Sequence, residues 1–244
     1  MTGAKFMGMV SLKTMGETEP AIQISGAVRR SFEALRGLPS RQADACLVLA
    51  LREVDPTLRA AALQEILALP RPGFFPEIFA AYPEYPAPLR RVMEGEAQKL
   101  WPHLQLLAAA ENSVLNRGLM LLLQQTPFPE AASLAGKLLK SHDKVVRHEA
   151  AVLLDKVVKE WQRTATGPAS PGKEVTVTRP KEDFINNALT QAISDFFAHN
   201  EAPVIEAALA WGEKASLHLC GLLQRALGSN DPRLQASLDL VRRS

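Results

Sequence analysis

Cysteine is nearly absent from this chain of 244 residues, with only Cys46 and Cys220 present. Neither belongs to a CxxC pair, so no zinc or dithiol motif is written here. Two thiols so far apart in apolar text read as buried free thiols of a reducing compartment. Aromatic residues are scarce, 6% beside a hydrophobic fraction of 47%. A core made mostly of Leu, Ala and Val suits closely packed helices better than a β-sandwich. An excess of one charge is missing too: 28 Lys and Arg face 26 Asp and Glu, a net +2. That balance carries no electrostatic footprint for nucleic acid or an anionic membrane. No segment approaches the roughly twenty apolar residues that a spanning helix needs. Met1 to Pro20 has neither a sustained apolar stretch nor a cleavage site, and reads as a poorly ordered leader or the edge of a domain, not a signal peptide. GxGxxG, Walker-type, GxSxG and HExxH motifs are absent. Strict alternation is confined to Val175-Thr176-Val177-Thr178, too short to suggest a β class.

What is present is a phrase that recurs in phase. From Asp55 the chain reads Asp, apolar Leu58 at +3, Arg59 at +4 and Ala62 at +7. From Asp143 it reads the same, with Val146, Arg147 and Ala150. Weaker copies begin at Ser25, Pro86, Asn112, Glu201 and Asp231. Most neighbouring starts lie about 30 residues apart, the period of stacked helix pairs. A first residue of Ser, Asp or Asn is a helix cap, and Asp also complements the helix dipole. Pro56 and Pro232 sit where a helix tolerates proline. Positions +3 and +7 share one face, and a small residue at +7 lets a neighbour approach. An Arg at +4 is expected to return to the capping carboxylate or reach the next repeat's Asp, a solvated pair worth about 0.5 kcal/mol.

After Asp143, an apolar stripe runs through Val146, Ala150, Leu153, Leu154, Val157 and Trp161. Similar stripes follow Asn112 (Leu115, Leu119, Leu122, Leu123) and Asp55 (Leu58, Ala62, Ile66, Leu69). Companion helices are predicted over Ser40–Leu51, Phe128–Leu139 and Trp211–Leu227, and a delayed one over Lys181–Ala198. On that last helix, Phe184, Ile185, Leu189, Ile193 and Phe197 are expected on the inner side. Pro70–Pro88 breaks the rhythm, with a short helix expected at Pro76–Ala81, and its aromatics are read as filling a thin place in the core. Arg163–Pro180, rich in Thr, Gly, Pro and Ser, reads as a flexible insertion.

Asp-Pro-x-[Val/Leu]-Arg-x-x-Ala resembles the second-helix signature of HEAT repeats, including the short bacterial form in phycobilin-lyase-like proteins. The resemblance covers roughly residues 20–244. It is specific at Asp55 and Asp143 and partial at Asp231. It implies a right-handed superhelix of antiparallel helix pairs with the second helices lining the concave side. It implies no single activity, because HEAT-like proteins include scaffolds, carriers, lyases, hydroxylases and glycosylases.

His148-Glu149 is similar to the His-Glu motif of deoxyhypusine hydroxylase, a HEAT-like enzyme with two irons. Such a centre needs several converging N and O ligands, and this chain has one His-Glu pair, read as ordinary helix-face residues. HEAT-like glycosylases for alkylated bases need clustered aromatics, a catalytic Asp and a basic concave surface. Trp101, Trp161 and Trp211 each lie in an apolar stripe, and the Arg pairs at 29–30, 90–91 and 242–243 read as capping and ladder residues.

The expectation is therefore an all-α, right-handed α-α superhelix of about six or seven helix pairs. It spans residues 21–244 after a leader at 1–20, with the insertion at 163–180. Its function is expected to be that of a non-catalytic cytoplasmic scaffold for a protein partner, with no cofactor and no metal. The alternative is a HEAT-like enzyme or nucleic-acid-binding protein. Contact residues are expected at the +4 slot, on the exposed side of the second helices: Arg59, Arg90, Asn116 and Arg147.

Overall fold

A computed structural model of the chain describes residues 24–68, 72–109, 111–165, 179–228 and 232. Among these residues all regular structure is helical. The α-helices are α1 (Gly26–Ala34), α2 (Ser40–Arg52), α3 (Pro56–Ala68), α4 (Phe75–Ala80), α5 (Ala87–Glu96), α6 (Trp101–Leu107) and α7 (Ser113–Gln125). They continue with α8 (Ala131–Leu138), α9 (Lys144–Ala165), α10 (Arg179–Ser194), α11 (Phe196–His199), α12 (Ala202–Trp211) and α13 (Leu217–Leu227).

Six phrase starts each stand directly before a helix: Ser25 before α1, Asp55 before α3, Pro86 before α5, Asn112 before α7, Asp143 before α9 and Glu201 before α12. Side-chain oxygens meet the capping role at Ser25, Asp55, Asn112 and Asp143, whereas Pro86 and Glu201 make no side-chain cap. Ser25 Oγ accepts from the Val28 N–H at 3.3 Å, Asp55 Oδ1 from Thr57 at 2.7 Å and Asn112 Oδ1 from Leu115 at 3.1 Å. Each bond satisfies one of the free N–H groups that a first turn leaves. The start at Asp231, the leader and Val175–Thr178 lie outside the described residues.

The six phrase helices pack in succession, α1 on α3, α3 on α5, α5 on α7, α7 on α9 and α9 on α12. Other helices flank each step: α2 lies on α3, α4 on α7, α8 on α9 and α10 on α12, while α8, α10 and α13 also contact one another in order. One apolar core runs through them from Leu47 to Leu223. The stripe of α9 is buried from Val146 to Val157, and Trp161 packs against it half-buried. Gly118 lets α7 lie against the backbone of α4, since a Cβ there would fall 1.8 Å from the Phe79 carbonyl oxygen.

From residue 72 on, the proline-rich stretch folds as a 3-10 turn at Pro72–Phe74, then α4, then a second 3-10 turn at Tyr82–Glu84, with Phe75, Phe79 and Tyr82 buried. Burial and a 2.8 Å hydrogen bond to Glu94 hold the Tyr82 phenol protonated well above its usual range.

Several details differ from the sequence reading. The helix expected from Trp211 to Leu227 is broken, because Gly212 takes φ +55° and opens a 3-10 turn. Ser216 Oγ then caps α13 through the Leu219 N–H at 3.2 Å. The helix expected over Lys181–Ala198 ends at Ser194, and α11 is a separate turn closed by Asn200 in the left-handed region. That break turns Phe197 outward, 74% exposed, and Phe184 is 39% exposed, whereas Ile185, Leu189 and Ile193 are buried as expected. Phe128, Pro129 and Glu130 form the approach to α8 and are not part of it. Cys46 is exposed and only Cys220 is buried, its thiol pushed up by burial. Within the stretch read as an insertion, α9 extends to Ala165 and α10 begins at Arg179.

Candidate functional site

Three clefts open around the carboxyl end of α8. One, of about 360 Å³, lies toward α10 between Lys137, Lys140, Phe184 and Gln191. The second, about 420 Å³, faces α6 and α7 and is lined by Glu111, Asn116, Lys137, Lys140 and His142. A third, about 450 Å³, faces α11 and is lined by Lys140, His142, Arg147, Asp195 and His199. Lys140 borders all three.

The turn that carries Lys140 and His142 is built by short-range bonds. The Lys140 N–H donates to the Lys137 carbonyl at 3.2 Å, and the Ser141 N–H to Leu138 at 3.0 Å. Ser141 Oγ accepts from the Asp143 N–H at 3.2 Å. Asp143 Oδ1 then accepts from Val145 at 2.8 Å and Val146 at 3.4 Å, opening α9. These N–H groups, the Val145 one foremost, hold the Asp143 carboxyl below its usual range, with further help from the Ser113 hydroxyl and the Arg147 charge. Arg147 Nη1 reaches back to the carbonyl oxygens of Ser141 and His142, each at 2.9 Å. One guanidinium thus closes the turn against its own helix.

Charges of both signs face the clefts. Lys140 Nζ lies 3.5 Å from an Asp195 carboxylate oxygen. His199 Nδ1 accepts from the Glu201 N–H at 3.1 Å, and its Nε2 lies 3.0 Å from the Ala192 carbonyl. Those partners assign the proton to Nε2. Open, mixed-charge clefts on a rigid turn can hold a polar chain segment by hydrogen bonds and ion pairs.

Of the four residues expected to make contacts, Asn116 and Arg147 line two of these adjoining clefts. Asn116 was expected on the exposed side, but it is only 4% exposed, because α7 packs on α9 across that face. Arg59 and Arg90 stand elsewhere, half-buried, with their charges near the phenols of Tyr85 and Tyr82 respectively. Burial pushes the Tyr85 phenol up, aided by the Glu77 charge and opposed by Arg59. The expected Asp–Arg ladder takes another form: Arg147 serves carbonyls, and the link to the preceding phrase is Ser113 on Asp143.

His148 and Glu149 point to different helices. His148 Nδ1 lies 3.2 Å from Glu201 Oε2, on a glutamate 7% exposed at the start of α12. Glu149 Oε2 accepts from Gln124 Nε2 at 2.7 Å on α7. Among the described residues no three His, Cys, Asp or Glu side chains converge to hold a metal ion. Trp101 meets Phe128 edge-on at 5.3 Å. Lys137, Lys140 and His142 were missed by the sequence reading, although their spacing before Asp143 marks the end of one helix and the turn into the next.

Set against protein-family profiles, curated proteins and solved structures, the chain shows no significant match. Among the described residues no helix is long and apolar enough to cross a membrane.

Proposed function

We propose that this chain is a non-catalytic, cytoplasmic HEAT-like scaffold that holds a protein partner at the clefts around Lys140. In this reading the helices form a right-handed superhelix of about six or seven pairs, with the phrase helices on the concave side. The supporting observation is the succession of phrase helices, four of the six opened by a side-chain cap and each lying on the next. Such stacking repeats equivalent side-chain slots along one surface, which suits an extended partner. Lys137, Lys140 and His142 form the exposed contact set, Asn116 and Arg147 lie at its base, and Arg59 and Arg90 would extend the surface toward the N-terminus.

Photo-crosslinking in the native host tests this. A crosslinking residue at Lys137 should capture one protein, and Lys140→Glu should abolish capture without lowering the melting temperature. A crosslinker at exposed Arg41 on α2 serves as the control. Equal capture at both positions, or none at Lys137, argues against the reading. Tight binding to a DNA duplex with a steep salt slope would favour a nucleic-acid function instead.

A further inference from the structure

Trp161 on α9 and Trp211 at the end of α12 come together around one ammonium group. Lys214 Nζ lies 5.5 Å from the Trp161 ring centroid and 5.7 Å from that of Trp211. Both distances fall within the range of about 6 Å over which a ring face attracts a cation. Nζ also donates to Glu182 Oε1 on α10 at 2.6 Å. The walls are fixed independently of the lysine. Trp211 Nε1 donates to Asn186 Oδ1 at 2.8 Å, and Gln162, beside Trp161, donates to the Ala210 carbonyl of α12. Trp161 Nε1 is buried without an acceptor among the described residues. Lys214 enters from the short turn Gly212–Lys214, and its side chain remains 30% exposed. Walls anchored on three helices therefore surround a cation carried on a surface turn.

We propose that Trp161, Trp211 and Glu182 form a binding site for a methylated ammonium group, which Lys214 occupies in the resting chain. A primary ammonium is strongly hydrated, and here it relies on its bond to Glu182. A methylated ammonium is less hydrated and presents its methyl groups to both rings, the chemistry of aromatic cages. Such a ligand displaces Lys214, and the turn carries the lysine out to solvent.

The test titrates tetramethylammonium chloride into the full chain at constant ionic strength, read by tryptophan fluorescence and calorimetry. A tethered lysine competes at an effective concentration in the millimolar range or above. Lys214→Met should therefore bind at least about tenfold more tightly than the parent chain. In that background Trp161→Ala should abolish binding and Glu182→Gln should weaken it. Trimethyllysine and choline, compared in the same assay, distinguish a peptide-borne ammonium from a headgroup. A natively folded Lys214→Met chain that binds no tetramethylammonium, or binds it equally after Trp161→Ala, overturns the proposal. Should Lys214→Met fail to fold, acylation of Lys214 in the parent chain decides, by mass spectrometry. Tetramethylammonium must speed labelling of Lys214 relative to Lys140, and an unchanged rate overturns the proposal.

Discussion

Helices α3 and α9 open with the same phrase, yet their first turns sit in different surroundings. Asp55 caps α3 through one N–H, that of Thr57, and Leu58 behind it is half-buried. Asp143 caps α9 through two N–H groups and also takes the Ser113 hydroxyl from the preceding phrase, and Val146 behind it is fully buried. In the succession of phrase helices α3 lies beside α1, which buries no residue. Helix α9 follows α7, which buries Leu115, Leu119, Leu122 and Leu123 along one stripe. A local phrase therefore sets where a helix begins. The depth of its first turn depends on the neighbour beside it, which the phrase does not encode.

The largest test of this contrast places a carboxylate at the +3 slot of each copy. Val146→Asp should destabilise by about 4 kcal/mol or more, since it buries an unpaired charge. Leu58→Asp should lose only about 1–2 kcal/mol, because a half-buried carboxylate reaches water. Equal shifts in denaturant midpoint would erase the distinction between the two first turns.

A second contrast compares two glycines. Gly118→Ala drives a methyl into the Phe79 carbonyl oxygen and should cost about 3 kcal/mol, the upper range for overpacking. Gly136→Ala meets its nearest neighbour, Ala188, at an ordinary 3.5 Å, and should lose far less while gaining helix propensity. A stable Gly118→Ala chain would mean that α7 does not lie so close to α4.

Much of the fold was legible because caps and apolar periodicity are local. The phrase starts at Asp55, Asn112 and Asp143 and the stripe after Asp143 required only neighbouring residues. The break at Gly212 was legible in principle, from a glycine followed by the Ser216 cap, but the leucines of 217–227 masked it. The outward turn of Phe197 was not, because it depends on the break between α10 and α11 at Asp195, where no glycine or proline marks a stop. Of the candidate site, the +4 slot marked Asn116 and Arg147 but missed Lys137, Lys140 and His142. Those three matter only through the clefts between helices distant in sequence. The meeting of Trp161 and Trp211 escaped for the same reason, since each looks like a core aromatic on its own helix.

The +4 arginines offer a smaller effect. Arg147→Met removes two charge-assisted bonds to the carbonyls of Ser141 and His142 and should lose about 1–2 kcal/mol. The Nε of both Arg59 and Arg147 is buried without an acceptor among the described residues, so the carbonyl bonds of Arg147 Nη1 make the difference, and Arg59→Met should lose less. Comparable losses from chemical denaturation would restore a common structural role for the slot.

The smallest effect is at the caps themselves, and it carries a pH signature. Asparagine keeps an oxygen that accepts from the first turn, so Asp143→Asn removes charge while leaving most of the cap. What is lost is the attraction of the carboxylate to the helix N-terminus and to Arg147. The Asp143 carboxyl titrates below its ordinary value of 3.8 in the folded chain. The unfolded chain therefore binds its proton first as the pH falls. Its contribution is fully present above the unfolded value and fades as the pH drops through the lower folded one. The melting-temperature gap between the parent chain and Asp143→Asn should be constant from pH 7 down to about 5, and should close toward pH 2. Asp55→Asn at pH 7 should open a smaller gap, since Asp143 also receives the Val146 N–H and the Ser113 hydroxyl. A gap at Asp143 that persists unchanged to pH 2 would show that the substitution acts through geometry alone. The carboxylate charge would then contribute nothing to the deeper seat of α9.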